Sequence, residues 1–276
     1  MSAPHFQTRS QKVLLEEIKT VQGKWNQQPD PLHWAQARFY GFIQAQNRAL
    51  KEITIQLAYL ELETGQVTEF RQAFSFAELS EFFDSTTAVY LDWLRAQHRW
   101  EQERNRSIHA LTFPFSAYRR GQRELAVAAY RVLANGGRLF IEAPTGIGKT
   151  VSVLFPALKA LGEGKLERIF YLTARTVGRV IAEKALADLR RAGLKLRSVT
   201  LTAKSKVCVR EGRPCDPLTC PLALGYYDRI KPAIREVLIQ EEITREVLEN
   251  AAQKHQVCPF ELALDVSVWA DAVICD

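Results

Sequence analysis

Apolar and polar positions alternate with period two over Lys12–Lys19, which predicts a strand carrying Glu17 and Lys19 on one face. A helix is predicted over Pro31–Leu50. Two strands follow, Glu52–Glu63 and Gln66–Ala73, turned at Glu63-Thr64-Gly65. Phe76–Arg106 reads as one long helix with Phe82, Phe83, Tyr90, Leu91, Trp93 and Leu94 in apolar stripes. The periodicity stops in Ser107–Ala117, where Phe113-Pro114-Phe115 intervenes, and a domain boundary is expected there. Beyond it, strands predicted at 138–142, Arg168–Leu172 and Asp271–Cys275 alternate with helices, one over Thr150–Leu161 and another opening at Thr176. That rhythm predicts an α/β fold with a parallel sheet. The expected organisation is a small α/β module over 1–106 and a larger α/β domain over 107–276, the latter interrupted at about 204–262.

The apolar run Arg138-Leu139-Phe140-Ile141-Glu142 leads into Ala143-Pro144-Thr145-Gly146-Ile147-Gly148-Lys149-Thr150. The glycines let backbone N–H groups turn onto phosphate oxygens. Lys149 can reach the β and γ oxygens, and the Thr150 hydroxyl can hold Mg²⁺. The helix after the loop adds its positive N-terminal end. These features predict a cradle for a nucleotide's phosphates.

Charge and cysteine usage refine the picture. The net charge of +6 over 276 residues suits a polyanionic partner without proving one. Arg175, Arg179, Lys184, Arg190, Arg191, Lys204, Lys206, Arg210 and Arg213 crowd one stretch and suggest salt-sensitive binding of single-stranded DNA. The sequence has no apolar run of membrane length and no signal-peptide core at its start, so a cytoplasmic protein without membrane attachment is expected. All five cysteines fall at 208 or later. Under reducing conditions Cys208, Cys215, Cys220 and Cys258 favour a metal or cluster over disulfides, while Cys275, within a strand, reads as a core residue.

The loop, with Ala143 in place of the usual first glycine, resembles the first motif of superfamily 2 helicases. Tyr118 and Gln122, ahead of the loop by a helix, match the segment that stacks on and reads adenine in that superfamily. Thr173-Ala174-Arg175-Thr176, at a strand end, resembles the motif that grips single-strand phosphates, with Thr173, Arg175 and Thr176 as donors, although a helix cap would also explain Thr176. The loose cysteine spacing ending in Cys258-Pro259 resembles the 4Fe-4S insertion of XPD/DinG-type helicases. It lacks the paired C-x₂-C of zinc knuckles, the rival reading. The resemblance covers about residues 113–276. It implies ATP-dependent, 5′ to 3′ unwinding of single-stranded or forked DNA in repair or replication, using ATP, Mg²⁺ and the cluster.

Glu17-Ile18-Lys19 followed by Gln36-x-x-x-Tyr40 on one helix face resembles the RecB-like branch of PD-(D/E)xK nucleases. A bacterial subgroup fuses such a nuclease to the helicase. Two departures matter. Residues 1–29 contain no Asp to complete the nuclease metal site, so an inactive or truncated module is expected. No D-E-A-H box follows, and Asp271 and Asp276 are the only candidates for the carboxylate that holds Mg²⁺, so the chain reads as a portion of a longer polypeptide, inactive alone. The alternative is a catalytically inactive nucleotide- and DNA-binding module with a four-cysteine zinc site.

Overall fold

The computed structural model describes residues 13–275 apart from 24, 145, 210–214, 217 and 218. The chain is mixed α/β and divides into two compact units, residues up to 97 and residues from 98 onward.

The first unit is a three-stranded sheet with one helix on its face. Strand β1 (Leu14–Val21) runs parallel to β2 (Glu52–Glu61), which pairs antiparallel with β3 (Val67–Ser75). Helix α1 (Pro31–Asn47) starts where Asp30 accepts a 2.7 Å bond from the Leu32 amide and Pro31 supplies a preset φ. Alternate β2 residues Ile53, Ile55, Leu57 and Tyr59 are buried with Ala37 and Phe42 of α1. Helix α2 (Phe76–Ala110) opens on a capping box: the Ser75 amide donates to Glu78, whose own amide donates to the Ser75 hydroxyl. The Ser75 hydroxyl and amide together hold the Glu78 carboxyl below its usual range.

The second unit carries α3 (Gln122–Asn135), α4 (Lys149–Gly162), β4 (Ile169–Leu172), α5 (Thr176–Arg191), β5 (Ser198–Leu201) and the short α6 (Lys204–Val207). It continues with α7 (Tyr226–Val237), β6 (Glu242–Ile243), α8 (Arg245–His255), α9 (Pro259–Ser267) and β7 (Ala272–Cys275). The sheet order is β4-β7-β5-β6, parallel throughout. Leu154, Leu158 and Leu161 of α4 pack with Leu186 and Leu189 of α5, Ile108 and the sheet residue Ile274. A Cβ at Gly162 would lie 2.5 Å from Cγ2 and 2.9 Å from Cβ of Ile108. A β-branched side chain cannot swing clear that close to its backbone. Gly162→Ala is therefore expected to lower stability by about 1–3 kcal/mol, read as a lower urea midpoint at unchanged slope.

One predicted element differs. The strand expected at 138–142 is absent; residues 136–144 have no regular structure, and Phe140 is 92% exposed. A strand needs a neighbour for its N–H and C=O groups, and among the described residues no strand lies beside this run.

Candidate functional site

The loop predicted to hold phosphate joins residue 144 to α4. Gly146 and Gly148 hold φ of 87° and 86°, left-handed values that L side chains rarely adopt, and Gly148 is the N-cap of α4. The Lys149 ammonium donates to the Ala143 and Pro144 carbonyls at 2.7 and 3.0 Å, curling the loop around its own cation. Ile147 packs against Gly121, where an added Cβ would stand 3.3 Å from Cδ1. Thr145 lies outside the described residues. The Thr150 hydroxyl is 3.5 Å from the Tyr171 hydroxyl on β4.

Gln122 is buried. Its carbonyl oxygen accepts from the Arg119 amide at 2.9 Å, and its amide nitrogen is where a Cβ on Gly148 would press at 2.6 Å. The side chain thus braces the loop from the start of α3. Tyr118 stacks on Phe113 with ring centroids 3.9 Å apart, and Phe113 meets Phe155 of α4 edge-on. Sequence reasoning missed Arg119, whose guanidinium donates to the Gly146 carbonyl, and the Phe113 platform. The available signal was adjacency to Tyr118 and Gln122, but an arginine at a helix start reads as solvated charge.

At the C-terminal end of β4 the Thr173 amide donates to the Cys275 carbonyl, and the Thr173 hydroxyl bonds the Arg175 backbone at 3.2 and 3.4 Å. Arg175 is the N-cap of α5, so Thr176, read as a possible cap, is the first helical residue instead. The Arg175 side chain is exposed, where a helix N-terminus favours an anion.

The predicted basic stretch is only partly a surface. Arg190 is mostly buried and donates to the Leu196 and Glu241 carbonyls and the Ser198 hydroxyl; burial lowers its pKa. Arg179 and Arg191 pair with Glu183 and Asp188, and Arg210 and Arg213 lie outside the described residues.

Asp271 is not placed as a nucleotide-site carboxylate. It lies at the N-terminal end of β7, opposite the end at which open parallel sheets bind ligands. Its oxygens accept from Arg104 at 2.6 Å, Trp100 at 3.0 Å and the Arg197 amide at 2.8 Å. Asp276 lies outside the described residues.

Cys208, Cys215, Cys220 and Cys258 line one cavity of about 240 Å³, shared with Lys204, Tyr226 and Asp265. None is in a disulfide. Cys208 follows α6, the Cys220 carbonyl caps a tight turn through Ala223 and Leu224, and Cys258 is the N-cap of α9. A hydrogen bond to Cys215 holds the Lys204 ammonium above the usual lysine range. Burial, then a 2.8 Å bond to Asp265, raises the Tyr226 phenol. The four thiols share a cavity without closing on a point: among the described residues no three Cys, His, Asp or Glu side chains form a metal-holding group. Cys275 sits on β7 but is half-buried, not a fully buried core residue as expected.

In the first unit, Glu17, Lys19, Gln36 and Tyr40 are brought together. The Lys19 ammonium pairs with Glu17 at 2.8 Å and donates to Gln36 at 2.9 Å, and the Gln36 amide is 3.4 Å from the Tyr40 hydroxyl.

No protein-family model matches the chain. The chain is similar to the general transcription and DNA repair factor IIH helicase subunit XPD of Dictyostelium discoideum, 25% identical over 192 residues, 59% of this chain and 24% of that protein. It is also similar to a probable ATP-dependent helicase of Methanocaldococcus jannaschii, 32% identical over 111 residues, 40% of this chain and 16% of that protein. The similarity is a distant homology to helicases, and the matches span a quarter or less of those relatives' lengths. Among the described residues no helix is long and apolar enough to cross a membrane.

Proposed function

We propose that the second unit is the first motor domain of an ATP-dependent DNA helicase of the XPD/DinG type, acting on single-stranded or forked DNA. The observation that carries this reading is the joint between Gln122 and Gly148, which supports a segment that would read adenine beside a loop that would hold phosphate. A nucleotide's β and γ oxygens would take the Lys149 ammonium from its two carbonyls. Thr150 would hold Mg²⁺, which when bound neutralises phosphate charge. Thr173, Arg175 and Thr176 would meet the DNA backbone.

The thiol cavity fits an iron–sulfur cluster in donor number and type, and the absence of a C-x₂-C pair weighs against zinc. Cys208, Cys215, Cys220 and Cys258 would hold the cluster, which supplies a rigid crosslink among four chain segments. In the first unit, Lys19 is engaged by Glu17 and Gln36, and the β2 residue opposite Glu17 in register is Leu57. We read this unit as a nuclease-like module without cleavage activity.

Hydrolysis needs a metal-holding carboxylate and an arginine finger. Asp271 is occupied elsewhere, which favours, for this chain alone, binding without turnover. The test is an ATPase assay with and without single-stranded DNA beside equilibrium binding of both ligands. Nucleotide binding and salt-sensitive DNA binding without DNA-stimulated hydrolysis is the expected result. Hydrolysis stimulated by DNA would show a complete site, and failure to bind either ligand would overturn the helicase reading.

A further inference from the structure

Arg229, on α7, is not a cysteine neighbour in sequence, yet its guanidinium spans two of the thiol-bearing segments. One terminal nitrogen donates to the Leu224 carbonyl at 2.8 Å and the Pro221 carbonyl at 3.2 Å, in the turn that follows Cys220. Its Nε donates to the Gln256 carbonyl at 3.0 Å, two residues before Cys258. Gly225 leaves room for this approach, because a Cβ there would stand 3.0 Å from the remaining terminal nitrogen. A second arginine serves the first thiol more weakly: Arg245 of α8, exposed and paired with Glu249, donates to the Lys206 carbonyl at 2.9 Å, two residues before Cys208.

We propose that Arg229 is a positioning residue of the thiol site. It fixes the backbone after Cys220 against the backbone before Cys258, so that both thiols face the shared cavity before any metal arrives. The proposal rests on the reading of the four thiols as a ligand set. Only a planar fork does this. Carbonyls in two directions are served by donors of fixed mutual geometry, whereas a lysine ammonium concentrates its donors at one point. Preset backbone geometry lowers the ordering cost of metal capture, as partners beyond the ligands themselves commonly do.

The test is a Co²⁺ titration of the full chain under anaerobic, reducing conditions, following thiolate-to-cobalt charge transfer, for the unaltered protein, C258S, R229Q, R229K and R168Q. Arg168 makes the same kind of bonds, to the Ala270 and Val268 carbonyls, away from every thiol of the cavity, and so controls for general loss of stability. Urea unfolding of each variant accompanies the titration. Co²⁺ binding about 10- to 100-fold weaker in R229Q and R229K, with weaker charge transfer, is expected, while R168Q binds as the unaltered protein does. Unchanged binding in R229Q, or equal losses in R229Q and R168Q, overturns the positioning role. No charge transfer in the unaltered protein, or charge transfer unaltered in C258S, instead overturns the reading of the thiols as a ligand set, and the proposal with it.

Discussion

Asp271→Ala is expected to cost the second unit about 3–5 kcal/mol, a larger stability loss than that of Gly162→Ala. The carboxylate and the Arg104 guanidinium facing it are both nearly inaccessible to water, so solvent screening does little to soften the loss. Removing the acid leaves the guanidinium, the Trp100 indole N–H and the Arg197 amide without that acceptor at once. Arg197, whose guanidinium lies 4.2 Å over the Trp100 ring, would lose a neighbouring charge as well. Asp271→Asn keeps one acceptor oxygen and should cost less. Thermal and urea unfolding measure both, with a midpoint fall on the order of 10 °C for the alanine variant. Because the acid sits at the wrong end of its strand for phosphate chemistry, nucleotide affinity of Asp271→Asn below its melting point should be unchanged. A weakened Mg-nucleotide complex there would return Asp271 to the nucleotide site.

Lys149→Ala is expected to weaken Mg-nucleotide binding by about 1.5–3 kcal/mol, roughly ten- to over a hundredfold in Kd. The side chain brings the mobile charge of the loop. Its bonds to Ala143 and Pro144 are to neutral carbonyls, which a phosphate oxygen outcompetes as a charge-assisted acceptor. Loss of those carbonyl bonds also loosens the loop, so Lys149→Arg, which keeps a cation and its donors, should retain part of the affinity. A fluorescent nucleotide titration distinguishes these variants, and single-stranded DNA binding measured in parallel should not change. If the alanine variant binds nucleotide as tightly as the unaltered chain, the loop is not the phosphate site.

Sequence reading succeeded where short-range chemistry decides the conformation. Pro31 starts α1 as predicted, the Glu63-Thr64-Gly65 turn joins β2 to β3, and the period-two and four-residue spacings bring Glu17, Lys19, Gln36 and Tyr40 together. On the inward face of β1, where Leu15 and Val21 pack against the core, Glu17 and Lys19 take two positions, while Ile18 on the other face is 62% exposed. The reading failed where partners distant in sequence decide. Leu139-Phe140-Ile141 has strand propensity, but pairing is a property of neighbours. A sequence shows Asp271 as an acid beside a strand, not as the acceptor of a helix residue 167 positions earlier. The roles of Arg119, Arg190 and Arg229 depend on carbonyls that no motif records.

The edge strand β6 lies between the third and fourth thiols in sequence, yet its residues pair with β5 at Ser198 and Val199, and the Ser198 amide donates to Glu241 at 2.9 Å. The thiol-bearing interval is therefore stitched into the sheet instead of hanging from it as an appendage. Oxidative damage to the cavity would propagate as fraying of that edge, visible as faster amide hydrogen exchange at Ser198 while protection at Ile274, in the interior strand, persists.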